Sequence, residues 1–307
     1  MSTAAVRLGR QRSRSRSERH TAWAMVAPTV VIVLAVAFLP VLETMWLSLH
    51  HSTASSSLSN PGGFAGLRNF SALFSDPVFA QSLKYTAIFT VVAVPIELVI
   101  GMGVALILHR RFRGRGFMRA IVLIPWGFPL AIAAVLARLM LQSPFGILGF
   151  LLQQVGLISS SSSVLSNNTD LLIGVIVVDV WTSVPFIALL LLAGLQTIPN
   201  DVLAAAKVDG ATPVQSFFRV TLPLLKPALL VSLLFRTLQA WAVYDLFYVM
   251  AENNIKSLST YVYQGVINGD VLSFPPATAA AVFTFATSLA IALVYIKGFG
   301  VRTVQDA

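Results

Sequence analysis

Five charged side chains lie within long apolar stretches of this sequence. They are Glu97, Arg138, Asp179, Arg236 and Asp245. A charge in hydrocarbon costs about 3 kcal/mol or more, so such residues pair with one another or face a polar cavity. For each of them, a structural salt bridge and a role in binding a polar solute are equally good interpretations. Arg236 would suit an anionic solute, but it would equally well pair with Asp179 or Asp245.

The stretch from residue 236 to residue 248 combines hydrogen-bonding and aromatic side chains. Helical spacing puts several of them on one face, namely Arg236, Gln239, Tyr244 and Tyr248. Sugars are bound through hydrogen bonds to their hydroxyls and through aromatic rings stacked on their apolar faces. The side chains that supply this chemistry here are Gln239, Trp241, Tyr244 and Asp245. The stretch therefore favours a binding site for a polyhydroxylated solute.

Catalytic and nucleotide-binding patterns do not stand out in the sequence. There is no cysteine, and the four histidines fall at segment ends without forming a metal-type cluster. No G-x-x-x-x-G-K-[ST] pattern occurs, so the chain has no P-loop to bind nucleotide phosphates. We therefore expect no catalytic residue, no metal site and no cofactor held by this chain.

Long apolar segments must position these side chains. The chain is 56% hydrophobic and 11% charged, whereas a soluble domain has about a quarter charged residues. Six segments are long enough to cross about 30 Å of hydrocarbon at about 1.5 Å per residue. They cover about residues 22–49, 83–108, 120–141, 171–192, 227–250 and 277–296. The sequence thus predicts an all-α integral membrane protein with six transmembrane helices.

The positive charge predicts the orientation of these helices. Most of the 21 lysines and arginines lie in residues 1–20, in residues 109–119, in residues 195–226 and at the C-terminus. Loops rich in Lys and Arg lie on the cytoplasmic side. We therefore expect a cytoplasmic tail at 1–20, a membrane domain at 21–300 and a cytoplasmic tail at 301–307. The RSRSRS tail lacks base-reading aromatics, so nucleic acid is not an expected partner.

The connector at residues 204–223 is more structured than a linker needs to be. Four Ala or Leu residues in a row favour a short helix, and Asp209-Gly210 favours a break after it. Pro213 suits the first turn of a second helix, which Pro223 ends. Two short helices at a fixed angle suit docking into a groove of another protein. An amphipathic hairpin lying on lipid is an equally good interpretation.

The same connector resembles the "EAA" loop of permeases of ABC importers, in which E-A-A-x-x-D-G-A precedes a hydrophobic residue, x and Leu-Pro. The matching residues are Ala205, Ala206, Asp209, Gly210, Ala211, Val220, Leu222 and Pro223. Ala204 stands where the family has the Glu that helps to anchor the loop to the ATPase. The resemblance implies a coupling loop at 197–226, with ATPase contacts from Ala204, Ala205, Ala206, Asp209, Gly210, Ala211, Phe217, Phe218, Leu222 and Pro223.

The resemblance extends over nearly the whole chain and implies a fold, partners and a location. The fold would be that of a type I ABC importer permease with a cytoplasmic coupling helix. The partners would be a second permease, two ATPase subunits that carry ATP and Mg²⁺, an extracytoplasmic substrate-binding (lipo)protein and membrane lipid. The chain would lie in a bacterial plasma membrane and work by alternating access.

The stretch LLFRTLQAWAVYDLFYVM resembles the fifth span of disaccharide permeases of the maltose and trehalose type. By resemblance, the substrate site maps to Thr182, Ser183, Phe186, Arg236, Gln239, Ala240 and Val243, and the chemistry above adds Tyr244 and Asp245. After this span the family has Thr-Gly-Gly-Gly-Pro or similar, where this chain has residues 251–254 instead. Trp126 and Phe128 are either gate residues or packing residues, and packing is favoured.

Other functions remain open at this stage. Within the same family, polyols or glycerol-phosphate compounds are alternative substrates. A self-powered secondary transporter would need an ion site and paired broken helices. A structural or assembly protein would need no transport path. ATP dependence distinguishes a permease of an ABC importer from a secondary transporter. Co-purification of an ATPase distinguishes such a permease from both other classes.

Overall fold

The computed structural model describes residues 21–142, 145–156, 164–252, 254–269 and 272–298. The predicted tails at 1–20 and 301–307 lie outside these residues. All the regular secondary structure in the described part is helical, apart from two isolated bridges, His50 with Phe64 and Ser57 with Asn60. This confirms the all-α prediction.

The helices are numbered in chain order. They are α1 (Thr21–Leu47), α2 (Arg68–Ser75), α3 (Pro77–His109), α4 (Arg115–Leu123), α5 (Leu130–Leu141), α6 (Ile147–Gln154), α7 (Asn168–Gln196), α8 (Asn200–Val208), α9 (Pro213–Leu224), α10 (Lys226–Trp241), α11 (Asp245–Ala251), α12 (Leu258–Asn268) and α13 (Phe274–Gly298).

Four of these helices, α1, α3, α7 and α13, are each long and apolar enough to cross a membrane alone. Two further candidates are bent pairs: α4 with the turn after it and α5 meet at 84°, and α9 and α10 meet at 70°. By length and composition, the described residues therefore hold four candidate spans, or up to six if each bent pair is one span. The predicted six spans correspond to the upper end of this range.

The third predicted span, at 120–141, is not one continuous helix. A 3₁₀ turn at Pro125–Gly127 follows α4, and Phe128 is extended, with φ −80° and ψ 132°. The extended conformation follows from Pro129, because proline disfavours the helical region for the residue before it. The break turns α5 away from α4 and places Trp126 and Phe128 at the bend.

The fifth predicted span, at 227–250, is broken as well. Helix α10 ends at Trp241, and α11 begins only at Asp245. Hydroxyls from the start of α12 satisfy the carbonyls that the break releases: Ser257 Oγ donates to Val243 O at 2.6 Å, and Ser259 Oγ donates to Ala242 O at 3.0 Å. Backbone carbonyls that a helix break releases within a membrane-spanning segment require partners of this kind.

Helices α3 and α7 pack closely along their length and form the centre of the domain. Gly101 allows this approach, because a Cβ added there would lie 2.7 Å from Cγ2 of Ile187. Helix α3 begins earlier than predicted, since the Asp76 side chain accepts from Val78 N at 2.8 Å as an N-cap and Pro77 suits the first turn. This pair carries two of the charged residues of the candidate site.

Candidate functional site

An ion triad joins three helices at the centre of the domain. Arg236 of α10 donates from Nη2 to Oε1 of Glu97 at 2.9 Å and from Nε to the other oxygen of that carboxylate. Its Nη2 also donates to Oδ2 of Asp179. All three residues are buried, with exposed fractions of 4%, 0% and 1% for Arg236, Glu97 and Asp179. The triad therefore ties α3, α7 and α10 together.

The triad also fixes the charge around it. With both carboxyls ionised the triad carries one net negative charge, and with a proton on either carboxyl it is neutral, so in both cases no positive charge is left over. From the sequence, Asp179, Asp245 and an anionic solute were all candidate partners of Arg236. The structure pairs it with Asp179 and with Glu97, and not with Asp245. The positive charge of Arg236 is therefore already compensated within this chain.

A cavity of about 450 Å³ lies beside the triad. The predicted substrate residues that line it are Thr182, Ser183, Arg236, Gln239, Val243, Tyr244 and Asp245. The break after α10 makes this possible, because it places residues 242–245 on the cavity wall instead of continuing the helix. The described structure thus brings together most of the predicted substrate residues.

Two predicted substrate residues do not line this cavity. Ala240 is fully buried in the apolar core with Phe89 and Val175. Phe186 contacts the lining residue Trp126 instead, and the two rings stack with centroids 5.6 Å apart and planes at 18°. Trp241 is directed to α13, where its Nε1 donates to Oγ1 of Thr287 at 2.9 Å.

Aromatic rings form one side of the cavity. Trp126 and Phe128 both line it, with exposed fractions of 53% and 42%. Each also packs on α7, Trp126 on Phe186 and Phe128 on Trp181 at 6.3 Å between centroids. The packing role favoured by the sequence is therefore present, but so is an accessible surface towards the cavity. Leu130 and Ala242 also line the cavity, and nothing in the sequence marked them as candidate site residues.

Arg138 has a structural role at the far end of α11. Its Nη2 lies 2.8 Å from Oε1 of Glu252, and its Nη1 donates to Val249 O at 3.1 Å and to Met250 O at 3.3 Å. A cation at a helix C-terminus stabilises the carbonyls that end the helix. Arg138 thus fixes α11 to α5.

The predicted coupling loop is a rigid pair of short helices. Gly210, between α8 and α9, has φ +79°, a conformation that other residues rarely adopt. Helix α9 begins with a capping box, in which Gln215 N donates to Thr212 Oγ1 at 3.3 Å and Thr212 N donates to Gln215 Oε1 at 2.9 Å. The turn between the helices is therefore well defined.

One side of the loop is anchored and the other is exposed. Ala206 is buried, and Phe217 and Leu222 pack against the apolar cluster that α3 and α7 share. The remaining predicted contact residues are exposed or partly exposed: Ala204, Ala205, Asp209, Gly210, Ala211, Phe218 and Pro223. Phe218 alone is 60% exposed. The loop therefore has one side packed on the membrane domain and one side exposed.

Comparison with known proteins is decisive for the family. The binding-protein-dependent transport system inner membrane component family matches residues 97–301. The chain belongs to this family. The matched region begins at Glu97 of the triad and includes the cavity and the predicted coupling loop. This family is one of transport permeases and not of enzymes.

Curated relatives cover almost the whole permease. The trehalose/maltose transport system permease protein MalF of Thermococcus litoralis is 36% identical, over 91% of this chain and 94% of the relative. The trehalose transport system permease protein SugA of Mycobacterium tuberculosis is 35% identical, over 92% and 90%. The sulfoquinovosyl glycerol transport system permease protein SmoG of Agrobacterium fabrum is 32% identical, over 91% and 90%.

The fold also matches a solved transporter. A chain of a bacterial ABC transporter involved in import of the acidic polysaccharide alginate superposes with a TM-score of 0.74. The match covers 95% of this permease and 99% of that chain at 22% sequence identity. The permease therefore has the fold of an ABC importer permease and is an inner membrane component of such a system.

Proposed function

We propose that this permease forms half of the translocation pathway of an ATP-driven importer for a neutral carbohydrate, most simply a disaccharide such as trehalose or maltose. The observation that carries the proposal is the cavity beside the triad. It combines the exposed Gln239 amide and the Ser183 hydroxyl with the accessible ring of Trp126. These groups match the hydroxyls and the apolar faces of a sugar ring. The names of two relatives, which include trehalose, agree with this substrate class.

The charge of the cavity favours a neutral solute over an anionic one. Arg236 is compensated by two carboxylates, and Asp245 adds a further acidic group to the wall. An anion entering this site would find no free cation to pair with, and the carboxylate of Asp245 would repel it in a medium of low dielectric constant. Glycerol-phosphate compounds are therefore disfavoured, whereas polyols remain compatible with the same chemistry.

Transport requires partners that this chain does not supply. The chain has no P-loop, so ATP and Mg²⁺ would be bound by two ATPase subunits. These subunits would contact the exposed side of residues 204–223. A second permease would complete the pathway, and an extracytoplasmic binding protein would deliver the sugar. ATP binding would close the ATPase dimer, and the rigid loop would transmit this movement so that the cavity turns outward.

The proposed topology follows the distribution of positive charge. Residues 109–119 and the coupling loop would lie on the cytoplasmic side, together with both termini. Residues 1–20 and 301–307 would be cytoplasmic tails flanking the membrane domain at 21–300. The relatives include bacterial permeases, and the location proposed is a bacterial plasma membrane.

Reconstituted uptake tests the proposal. The permease and its partners would be placed in proteoliposomes with ATP on the ATPase side, and uptake of radiolabelled trehalose, maltose, sorbitol and glycerol 3-phosphate would be compared. We expect ATP-dependent uptake of a neutral disaccharide that persists when ionophores collapse all ion gradients. Uptake driven by an ion gradient without ATP, or uptake of glycerol 3-phosphate alone, would overturn the proposal.

A further inference from the structure

Three tyrosine rings meet next to the cavity beside the triad, which we call the central cavity. Tyr244 stacks on Tyr248 with centroids 5.1 Å apart and planes at 18°. Tyr263 of α12 closes the group, with its centroid 5.0 Å from that of Tyr244 and 5.2 Å from that of Tyr248. We call these three residues the tyrosine cluster. The sequence placed Tyr244 and Tyr248 on one face but gave no sign that Tyr263 joins them.

The cluster forms the wall between two cavities. Tyr244 lines the central cavity, and Tyr248 and Tyr263 line a second cavity of about 470 Å³. With the predicted coupling loop on the cytoplasmic side, α10 leads away from that side, and Glu252 of the second cavity pairs with Arg138 near the outer end of α5. This topology places the second cavity on the extracytoplasmic side of the first. The two cavities are therefore consecutive along the path of an incoming solute.

The second cavity has the chemistry of a carbohydrate site. The exposed fractions of Tyr248 and Tyr263 are 41% and 38%, so both rings present accessible surface. Gln264 and Asn268 add amide groups to the same wall. Aromatic rings accept the apolar face of a sugar, and amides bond to its hydroxyls.

The wall is also held in place. Arg138 bonds to the carbonyls of Val249 and Met250 and pairs with Glu252, which lines the second cavity. Glu252 has φ +47°, the one positive φ of a non-glycine residue in the described part of the chain. A conformation of this kind persists only where the surroundings hold it. The end of α11 is thus a fixed surface.

We propose that the second cavity is an outer carbohydrate-binding subsite, in which a sugar stacks on Tyr248 and Tyr263 before it moves past Tyr244 into the central cavity. This inference rests on the proposed function, because it concerns the same solute on the same path. It adds a separate binding event that the central cavity does not require.

Equilibrium dialysis of labelled sugar tests this subsite. The complete permease–ATPase assembly would be locked with ATP and Mg²⁺ by a hydrolysis-deficient ATPase and titrated with radiolabelled trehalose or maltose. We expect two classes of site per assembly. Tyr248→Leu and Tyr263→Leu should each weaken one class about five- to tenfold, and Tyr248→Phe, which keeps the ring, should weaken it about twofold or less. Phe285→Leu on α13 serves as a matched control and should change neither class.

The outcomes separate this inference from the proposed function. If no neutral sugar binds or is transported, the proposed function itself fails. If sugar binds with one class of site in the wild type, or if both Leu variants titrate as the wild type does, only the outer subsite is overturned. Density for a second permease chain covering Tyr248 and Tyr263 would overturn it as well. Gel filtration of each variant assembly confirms that the subunits remain associated.

Discussion

The triad predicts a characteristic order of stability among charge variants. Arg236→Gln would leave two buried carboxylates without a cation, and breaking a buried ion pair in this way costs about 3–5 kcal/mol. Glu97→Gln keeps the pair of Arg236 with Asp179 and loses charge-assisted hydrogen bonds, which costs about 1.5–3 kcal/mol. Replacing all three residues by neutral amides removes the uncompensated charge and should recover most of the loss of Arg236→Gln.

Thermal challenge of the purified assembly measures this order. Each variant would be heated in detergent, and the temperature at which half of the monodisperse gel-filtration peak is lost would be recorded. The matched control is Arg68→Gln, because Arg68 is exposed at the start of α2, and exposed charges contribute about 1 kcal/mol or less. Equal stability of Arg236→Gln and wild type, or a greater loss in Glu97→Gln than in Arg236→Gln, would refute the triad reasoning.

Three further variants test other parts of the structure. Gly101→Val should destabilise the assembly by about 1–3 kcal/mol in the same thermal assay, because the added carbons meet Ile187, whereas Gly103→Ala, with open space at its Cβ, should be neutral or better. Gly210→Pro should leave membrane insertion intact and abolish substrate-stimulated ATP hydrolysis, since proline cannot adopt φ +79°, and Gly210→Asn should retain it. Trp126→Ala should weaken sugar binding about tenfold in dialysis, while Trp23→Ala should not.

The long spans were predictable because they depend on local properties. Continuous hydropathy over 20 or so residues fixes a helix in a membrane whatever its neighbours are, and α3 and α7 differ from prediction mainly at their ends. The two short helices of the predicted coupling loop and the turn between them were also predictable, because Gly210 and Pro213 determine the backbone geometry through their own chemistry. Local signals of this kind do not depend on the rest of the fold.

The breaks in the third and fifth spans were not predicted from the sequence. Pro125 and Pro129 mark the first break in the sequence, although the apolar composition around them favours a continuous helix. The second break contains neither proline nor glycine. It is stabilised by hydroxyls of Ser257 and Ser259, which come from the following helix, so no pattern within residues 236–250 reveals it.

The candidate site was predicted in its residue types and in part of its pairing, because Asp179 was one of the expected partners of Arg236, whereas Glu97 was not. Charges in apolar segments identified Glu97, Asp179 and Arg236 individually, and their separation along the chain gives no rule for which of them meet. Glu97 lies 139 residues from Arg236 and joins it only because α3 packs against both α7 and α10. That contact compensates the charge of Arg236 and therefore bears on the class of solute that we propose.

The most direct test of the central claim is an electron-density map of the complete assembly, locked with ATP and Mg²⁺ in the presence of trehalose or maltose. We predict density for a sugar in the cavity beside the triad, within hydrogen-bonding distance of Gln239 and Ser183 and against the ring of Trp126. A cavity filled by side chains of the second permease, with the transported sugar bound elsewhere, would contradict the account.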